Sequence, residues 1–481
     1  MTAAEAPARP RPGRLPFRVP GRLLGLELRR SAIVWVLPLL AVLLWLTSTT
    51  KVNVGPWNLR GIRLHQALLG LAPFAAGIAA WMGSREDRRG TTDLMAVAVL
   101  SRWTARLVTW AATICWVEAA YLVYAGVVYG VTARQSAWAG SFWWPVAVGA
   151  AAAAAACALG FAAGAFIPGR FAAALAAAGL FLAIAAGMFA SQHGYGLLSP
   201  ERPGALNTGI FYPYLPDLAI AQVIFLAGLA AAALGALGLP TATGGPPLRR
   251  TAAVVTAAGL LAAGTGAALA GTARLEVNGV VIPALHDAAS DRPVPYTPVC
   301  SHSVVPICVH PAYQAYLPAV TTALAPVLSQ VAGLPDAPVR AIQAPTPASL
   351  GNGNTISPAG SPVSGHPPVL RLHLFGAGIS TAEFISLVRL QAATAIVDSV
   401  TGGGPAGHGN GAQQAVAAAL LKAGGVLLAG PGLRVPGPAP GTPAYAAAER
   451  FAALPAAARH AWLAAHQAAL RAGHMTLAEL P

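Results

Sequence analysis

Seven stretches of the chain are apolar almost without interruption: residues 33–46, 66–82, 107–131, 146–167, 171–190, 218–239 and 252–270. Each meets or approaches the roughly 20 mostly apolar residues that a bilayer-crossing helix needs, so the pattern predicts about seven spans. The first is short in its apolar core, but Trp35 and Trp45 suit the membrane–water interface. The fourth is nearly pure alanine. Its small residues at 150–156 let helix backbones approach closely, so it is expected to pack on another helix rather than face lipid.

After residue 271 the pattern changes. Residues 274–282 alternate around Asn278-Gly279, a strong hairpin signal, which makes those two residues the expected turn. Apolar positions at helical spacing predict helices at 312–332, 381–400 and 415–428, and a final helical pair over 444–472 interrupted near Pro455. Residues 369–375 alternate as a half-buried strand would. Residues 345–368, 402–411 and 430–443, rich in Gly, Pro, Ser and Asn, are expected to be loops or linkers. None of these segments reads as an eighth span. The fold class expected is an α-helical polytopic membrane protein followed by an α+β domain. Its units are a basic tail with an interfacial helix (1–31), six spans (32–240), a linker with the seventh span (241–271), and the C-terminal domain (272–481).

Composition agrees with a membrane chain: 56% of residues are hydrophobic and only 10% charged, against about 25% charged in soluble domains. The net charge of +14 is uneven, since residues 1–271 carry 20 basic and 8 acidic residues and residues 272–481 carry 10 and 8. The positive charge therefore lies among the spans, where it orients helices, and no nucleic-acid partner is expected. One set of connecting segments holds Arg9, Arg11, Arg14, Arg18, Arg22, Arg29, Arg30, Arg85, Arg88, Arg89, Arg102, Arg106, Arg170, Arg249 and Arg250. The opposite set holds only Lys51, Arg60, Arg63, Arg134 and Arg202. The positive-inside rule then makes the N-terminus cytoplasmic, and an odd number of spans puts the C-terminal domain outside. The N-tail does not read as a signal peptide, because no small-residue cleavage site follows its apolar run.

Cys115 and Cys157 lie in apolar helices, whereas Cys300 and Cys308 lie in the tail expected outside, where disulfides persist. Cys300, His302, Cys308 and His310 form two Cys-x-His pairs, which admits three readings: a Cys300–Cys308 disulfide, free thiols, or a tetrahedral zinc site. The disulfide leads. The only lysines, Lys51 and Lys422, do not end a Walker A loop, and neither His-Glu-x-x-His nor Gly-x-Ser-x-Gly occurs. No enzymatic activity and no cofactor of this chain's own are expected. Glu118 is the sole charged residue deep in a span, a candidate for a transport pathway or for a hydrogen-bonded acid at a helix contact. Tyr121, Tyr124 and Tyr129 follow it on the same helix and read either as a polar stripe with Glu118 or as an interfacial belt.

Between the second and third spans runs Gly83-Ser84-Arg85-Glu86-Asp87-Arg88-Arg89-Gly90-Thr91-Thr92-Asp93-Leu94-Met95-Ala96, followed by an apolar-faced segment that reaches Arg102. A charged turn, a cap at Thr91 or Thr92 and Asp93 at the positive helix end predict a short surface helix. The pattern resembles the permease subunits of ABC-2-type transporters, with Arg88, Arg89, Gly90, Thr91, Asp93, Leu94, Ala96 and Arg102 in the matching places, and the amphipathic run 22–30 is similar to that family's interfacial helix. The resemblance covers about residues 20–240. It implies a coupling helix that contacts a separate ATP-hydrolysing subunit through Arg85, Arg88, Arg89, Thr91, Asp93, Leu94 and Arg102. It also implies a homo- or heterodimer of permease chains in a bacterial plasma membrane. Two readings of other classes stand beside it: a membrane-anchored outer binding or sensing domain, and a membrane-bound enzyme using His286, His302 or His310.

Overall fold

The structure, a computed structural model, describes residues 18–31, 38, 41–42, 57–90, 101–135, 143–167, 169–189, 194–202, 210–241, 246–276, 279–344, 360–364, 368–372, 374, 381–403, 409–426, 429–430, 433–434 and 437–481. The first expected span, 33–46, lies almost wholly outside these residues. The amphipathic helix α1 (Arg18–Arg30) precedes it. The helical bundle consists of α2 (Trp57–Gly83), the single turn α3 (Arg85–Arg89), α4 (Arg102–Gln135), α5 (Trp143–Phe166), α6 (Ala172–Phe189), α7 (Asp217–Thr241) and α8 (Pro246–Gly271). Five of them (α2, α4, α5, α7 and α8) are long and apolar enough to cross a bilayer, and α6 contributes a shorter apolar helix, Ala172–Gly187.

Small residues hold the bundle together because they remove the side chains that would keep the helices apart. A Cβ at Gly160 or Gly164 of α5 would fall 2.2 or 2.0 Å from the carbonyl oxygens of Ala76 and Ala80 on α2. The alanine-rich fourth span does pack on another helix, as its composition predicts. The antiparallel pair α7 and α8 is built alike: a Cβ at Gly228 would meet the Ala263 nitrogen at 2.4 Å, and one at Gly259 would meet the Ala232 nitrogen at 2.3 Å. Trp103, at the start of α4, donates from Nε1 to the Leu234 carbonyl of α7 at 3.0 Å.

The C-terminal residues have a core of their own. A hairpin of β1 (Arg274–Glu276) and β2 (Gly279–Val281) follows α8 directly. Its register pairs Glu276 with Gly279, so Gly279, expected in the turn, is a strand residue with φ 136°, and its expected turn partner Asn278 lies outside the described residues. A five-stranded mixed sheet has the order β3 (Val299–Cys300), β4 (Ile307–Val309), β5 (Arg340–Gln343), β7 (Val369–Leu372), β6 (Gly360–Ser364). The two central pairings are parallel, and α9 (Leu317–Val331) crosses between β4 and β5. One helix thus crosses between parallel strands at the sheet centre, and the other long helices of these residues follow the sheet in the chain. Strand β6 falls inside the stretch expected to be a loop. It is an edge strand, where Pro362 removes no needed donor, and its Gly, Ser and Pro content hides the alternation.

Helix α10 (Thr381–Thr401) contains an 18-residue stretch, Phe384–Thr401, that is also long and apolar enough to span, contrary to the reading that no C-terminal segment qualifies. Phe384, Val388, Ala392, Ala393, Ile396, Val397 and Val400 of this helix are buried in the C-terminal core with residues of β5, β7 and α9, so its apolar face is satisfied by protein. Helix α11 (Gly411–Ala423) starts and ends about four residues before its expected limits. Asn410 and Gln413 form a capping box that starts it early, and Gly425, at φ 70°, ends it before Val426. Helices α12 (Pro443–Ala453) and α13 (Ala456–Arg471) flank Pro455 as expected and bury Phe451, Leu463 and Leu470.

The C-terminal core sits against the end of the bundle where α7 begins and α8 ends. Ile210 and Phe211, just before α7, are buried within it, and Phe211 accepts a 2.8 Å hydrogen bond from the Val294 nitrogen. Asp217, the first residue of α7, accepts from the Ile282 nitrogen at 3.0 Å.

Candidate functional site

The loop between α2 and α4 is anchored by two acids, Glu27 and Glu86. Arg85 donates from both terminal nitrogens to Glu27 of α1, at 2.9 and 2.8 Å. This fork-to-fork pairing is the strongest arrangement open to an arginine and a carboxylate. Glu27 holds the Arg85 guanidinium above its ordinary value, chiefly through that hydrogen bond, against the opposing effect of burial. Glu86 takes Arg102 at 3.2 Å and Arg106 at 3.5 Å, so the two ends of the loop are tied to each other. Helix α1 is further held by Trp116 of α4, whose Nε1 donates to the Leu28 carbonyl at 3.1 Å.

Helix α3 ends at Gly90, whose left-handed backbone (φ 62°, ψ 27°) lets its N–H return to the Asp87 and Glu86 carbonyls. Asp87, Arg88 and Arg89 are exposed there. Arg88 donates to Ser84 Oγ, and its guanidinium lies 4.5 Å from the centre of the Trp81 ring. The seven residues expected to bind a partner therefore divide. Arg85 and Arg102 are engaged inside the chain, Arg88 and Arg89 are presented outward, and Thr91, Asp93 and Leu94 lie outside the described residues. A detectable signal for the anchors was present: Glu27 and Glu86 are two of only eight acids in residues 1–271.

Within the bundle, Glu118 is half-buried on α4, one turn before Tyr121. The tyrosines are turned into the protein instead of outward. Tyr121, Tyr124 and Tyr129 are buried, and the Tyr121 hydroxyl donates to the Pro145 carbonyl at 3.2 Å, close against Gly149 of α5. For Tyr121 the room is left by Gly149 of α5.

At the opposite end of the bundle, polar side chains stitch the segment 194–202 to the helices. His65 of α2 lies with Nδ1 2.6 Å from the Pro200 carbonyl. Gln222 of α7 points its amide nitrogen at the carbonyls of Leu197, Ser199 and Arg202, at 2.9, 3.1 and 2.9 Å. His286 bridges two carboxylates, Asp291 at 3.1 Å and Asp217 at 3.5 Å, and its pKa is raised, mainly by the Asp291 hydrogen bond.

Cys300 and Cys308 are directly opposite in the β3–β4 register and form a disulfide. Both sulfurs are thereby used, His302 is exposed, and His310 is wholly buried, so these four residues are not assembled as a zinc ligand set. Among the described residues no group of three or more His, Cys, Asp or Glu side chains could hold a metal ion. His310 caps the turn Pro311–Tyr316 by accepting from the Ala312 nitrogen at 3.1 Å, and its ring packs on Phe211 and Tyr296. Burial pushes its pKa down to about 4, although the Ile210 backbone bond acts in the opposite direction.

Compared with protein-family models, curated proteins and solved structures, the chain matches none.

Proposed function

We propose that the chain is the membrane-spanning permease subunit of an ABC-type transporter, working as an exporter and coupled through the loop 83–103 to a separate ATP-hydrolysing subunit. The observation that carries this reading is the build of the loop. Arg88 and Arg89 stand exposed at the end of a turn whose base is clamped by Arg85–Glu27 and by Arg102 and Arg106 on Glu86. A solvated loop needed only for charge-based orientation has no use for such a clamp. A surface that transmits motion between a partner and the helices does, because coupling needs rigid elements with two positions. In this reading the N-terminus is cytoplasmic, the C-terminal domain is outside, two permease chains line the pathway, Glu118 faces it, and the ATP is consumed by the partner.

The test is co-purification. Replacing Arg88, Arg89 and Leu94 together with alanine is expected to leave membrane insertion intact and abolish association with the ATPase subunit. Undiminished co-purification would falsify the reading.

A second reading is a membrane-anchored outer binding or sensing protein without transport activity. It is favoured by the separate hydrophobic core of the C-terminal residues. A cooperative melt and ligand binding by the isolated segment 272–481, with no ATPase partner found in membranes, would support it.

A further inference from the structure

Helices α6 and α7 both belong to the bundle, yet they barely touch each other. Between them is a cavity of about 400 Å³, backed by α5 and α2, within the range of about 300–1,000 Å³ typical of small-molecule sites. Its walls are apolar, with Ala156, Leu159, Ala183, Ile184 and Leu226 among them, and among the described lining residues the single side-chain polar group is Ser199, whose hydroxyl donates to Glu201 at 2.6 Å. Leu159 and Ala183 are at the same time exposed, so among the described residues the cavity opens sideways onto the outer surface of the bundle. Neighbouring Phe181 and Leu182 on α6 continue that exposed apolar surface.

The two ends of the cavity differ. Its wall on α5 is apolar along its length: Ala152 to Leu159 cover about 10 Å at 1.5 Å per residue. One end lies against the segment Leu198–Ser199–Pro200, which is fixed by His65 and Gln222 and is followed by the Glu201–Arg202 pair. An apolar slot open to the bilayer with a polar rim at one end has the polarity of an amphiphile lying along the helices. Water has no partners in such walls, and an empty apolar void forgoes contacts that a hydrocarbon chain would make.

We propose that this crevice holds one acyl chain of a bilayer phospholipid, with the glycerol end at Ser199. The inference requires the bundle to be in a membrane but not that the chain transports anything, so it survives or fails independently of the ATPase reading.

The experiment uses the full chain in phospholipid vesicles that contain a phosphatidylglycerol with a diazirine at the end of one acyl chain, followed by peptide mapping after illumination. Labelling of Leu159, Ala183 and Ile184 is expected to exceed, several-fold, that of Val254, Leu260 and Leu261, which are exposed on the outer face of α8. The variants Ala183→Trp and Ala156→Leu each fill part of the space. Both are expected to bring crevice labelling down to the α8 level while leaving α8 labelling unchanged. Because Ala183 is exposed, its variant tests the idea even if the core variant fails to fold. Equal labelling of crevice and α8 in the unmodified chain overturns the proposal, as does unchanged labelling in the filling variants. So does strong crevice labelling by a water-soluble diazirine or by a single-chain amphiphile with none from the phospholipid, since either would mean a different occupant.

Discussion

Arg85 and Glu27, 58 positions apart, meet in a two-pronged ion pair that joins the helix before the first expected span to the loop after the second. The pair is about three-quarters shielded from solvent, with side-chain exposures of 25% and 22%. Partly buried charged hydrogen bonds are worth more than surface ion pairs, so Arg85→Ala or Glu27→Gln is expected to cost about 1–2 kcal/mol. Proteolysis should then cut α1 faster in either single variant. Exchanging the charges (Arg85→Glu with Glu27→Arg) should recover part of the loss, and no recovery in the double variant would mean that the pair contributes nothing specific.

The close approach of α5 to α2 makes a second expectation. At Gly160 a side chain would point into the Ala76 backbone rather than into a movable side chain. Gly160→Leu is therefore expected to cost at least about 3 kcal/mol, beyond ordinary overpacking, because backbone cannot repack. Gly179, with nothing within 4 Å of its Cβ position, is the control. Equal detergent stability of Gly160→Leu and Gly179→Leu would refute the argument.

Two histidines, His310 and His286, respond to pH in opposite directions. His310, held down to about 4 by burial, is neutral when folded and becomes charged near 6.5 when unfolded. Its contribution is full above pH 6.5 and is lost as pH falls toward 4, by an amount on the order of 2–3 kcal/mol. His286 has a raised pKa, so its contribution is full below 6.5 and is lost as pH rises through the raised value. A plot of melting temperature against pH should fall on the acid side, and His310→Asn, which keeps a capping oxygen but does not titrate, should flatten that fall. An unchanged acid limb in the variant would assign it to other groups.

The Cys300–Cys308 bond closes a loop eight residues apart. Cys300→Ser with Cys308→Ser is expected to lower stability by about 2–3 kcal/mol on the chain-entropy account. A reductant should lower the melting temperature of the original chain by a similar amount and leave the double variant unmoved. Equal sensitivity of both proteins to reductant would remove the disulfide from the explanation.

What was legible from residue order was whatever depends on local pattern. Apolar runs locate α2, α4, α5, α7 and α8, because a bilayer-length helix needs only a stretch of apolar residues. Pro455, the alternation in β7 and the eight-residue spacing of Cys300 and Cys308 were readable for the same reason. Three-dimensional packing decided the rest. It turned the spanning-length apolar stretch in α10 into a core element, because β5, β7 and α9 cover its apolar face. It buried Tyr121 against Gly149, which no helical periodicity in α4 alone could announce. It also sorted the loop arginines, taking Arg85 and Arg102 for Glu27 and Glu86 and leaving Arg88 and Arg89 exposed. Periodicity says which side of an element avoids water. What that side meets depends on residues far away along the chain, and only folding brings them together.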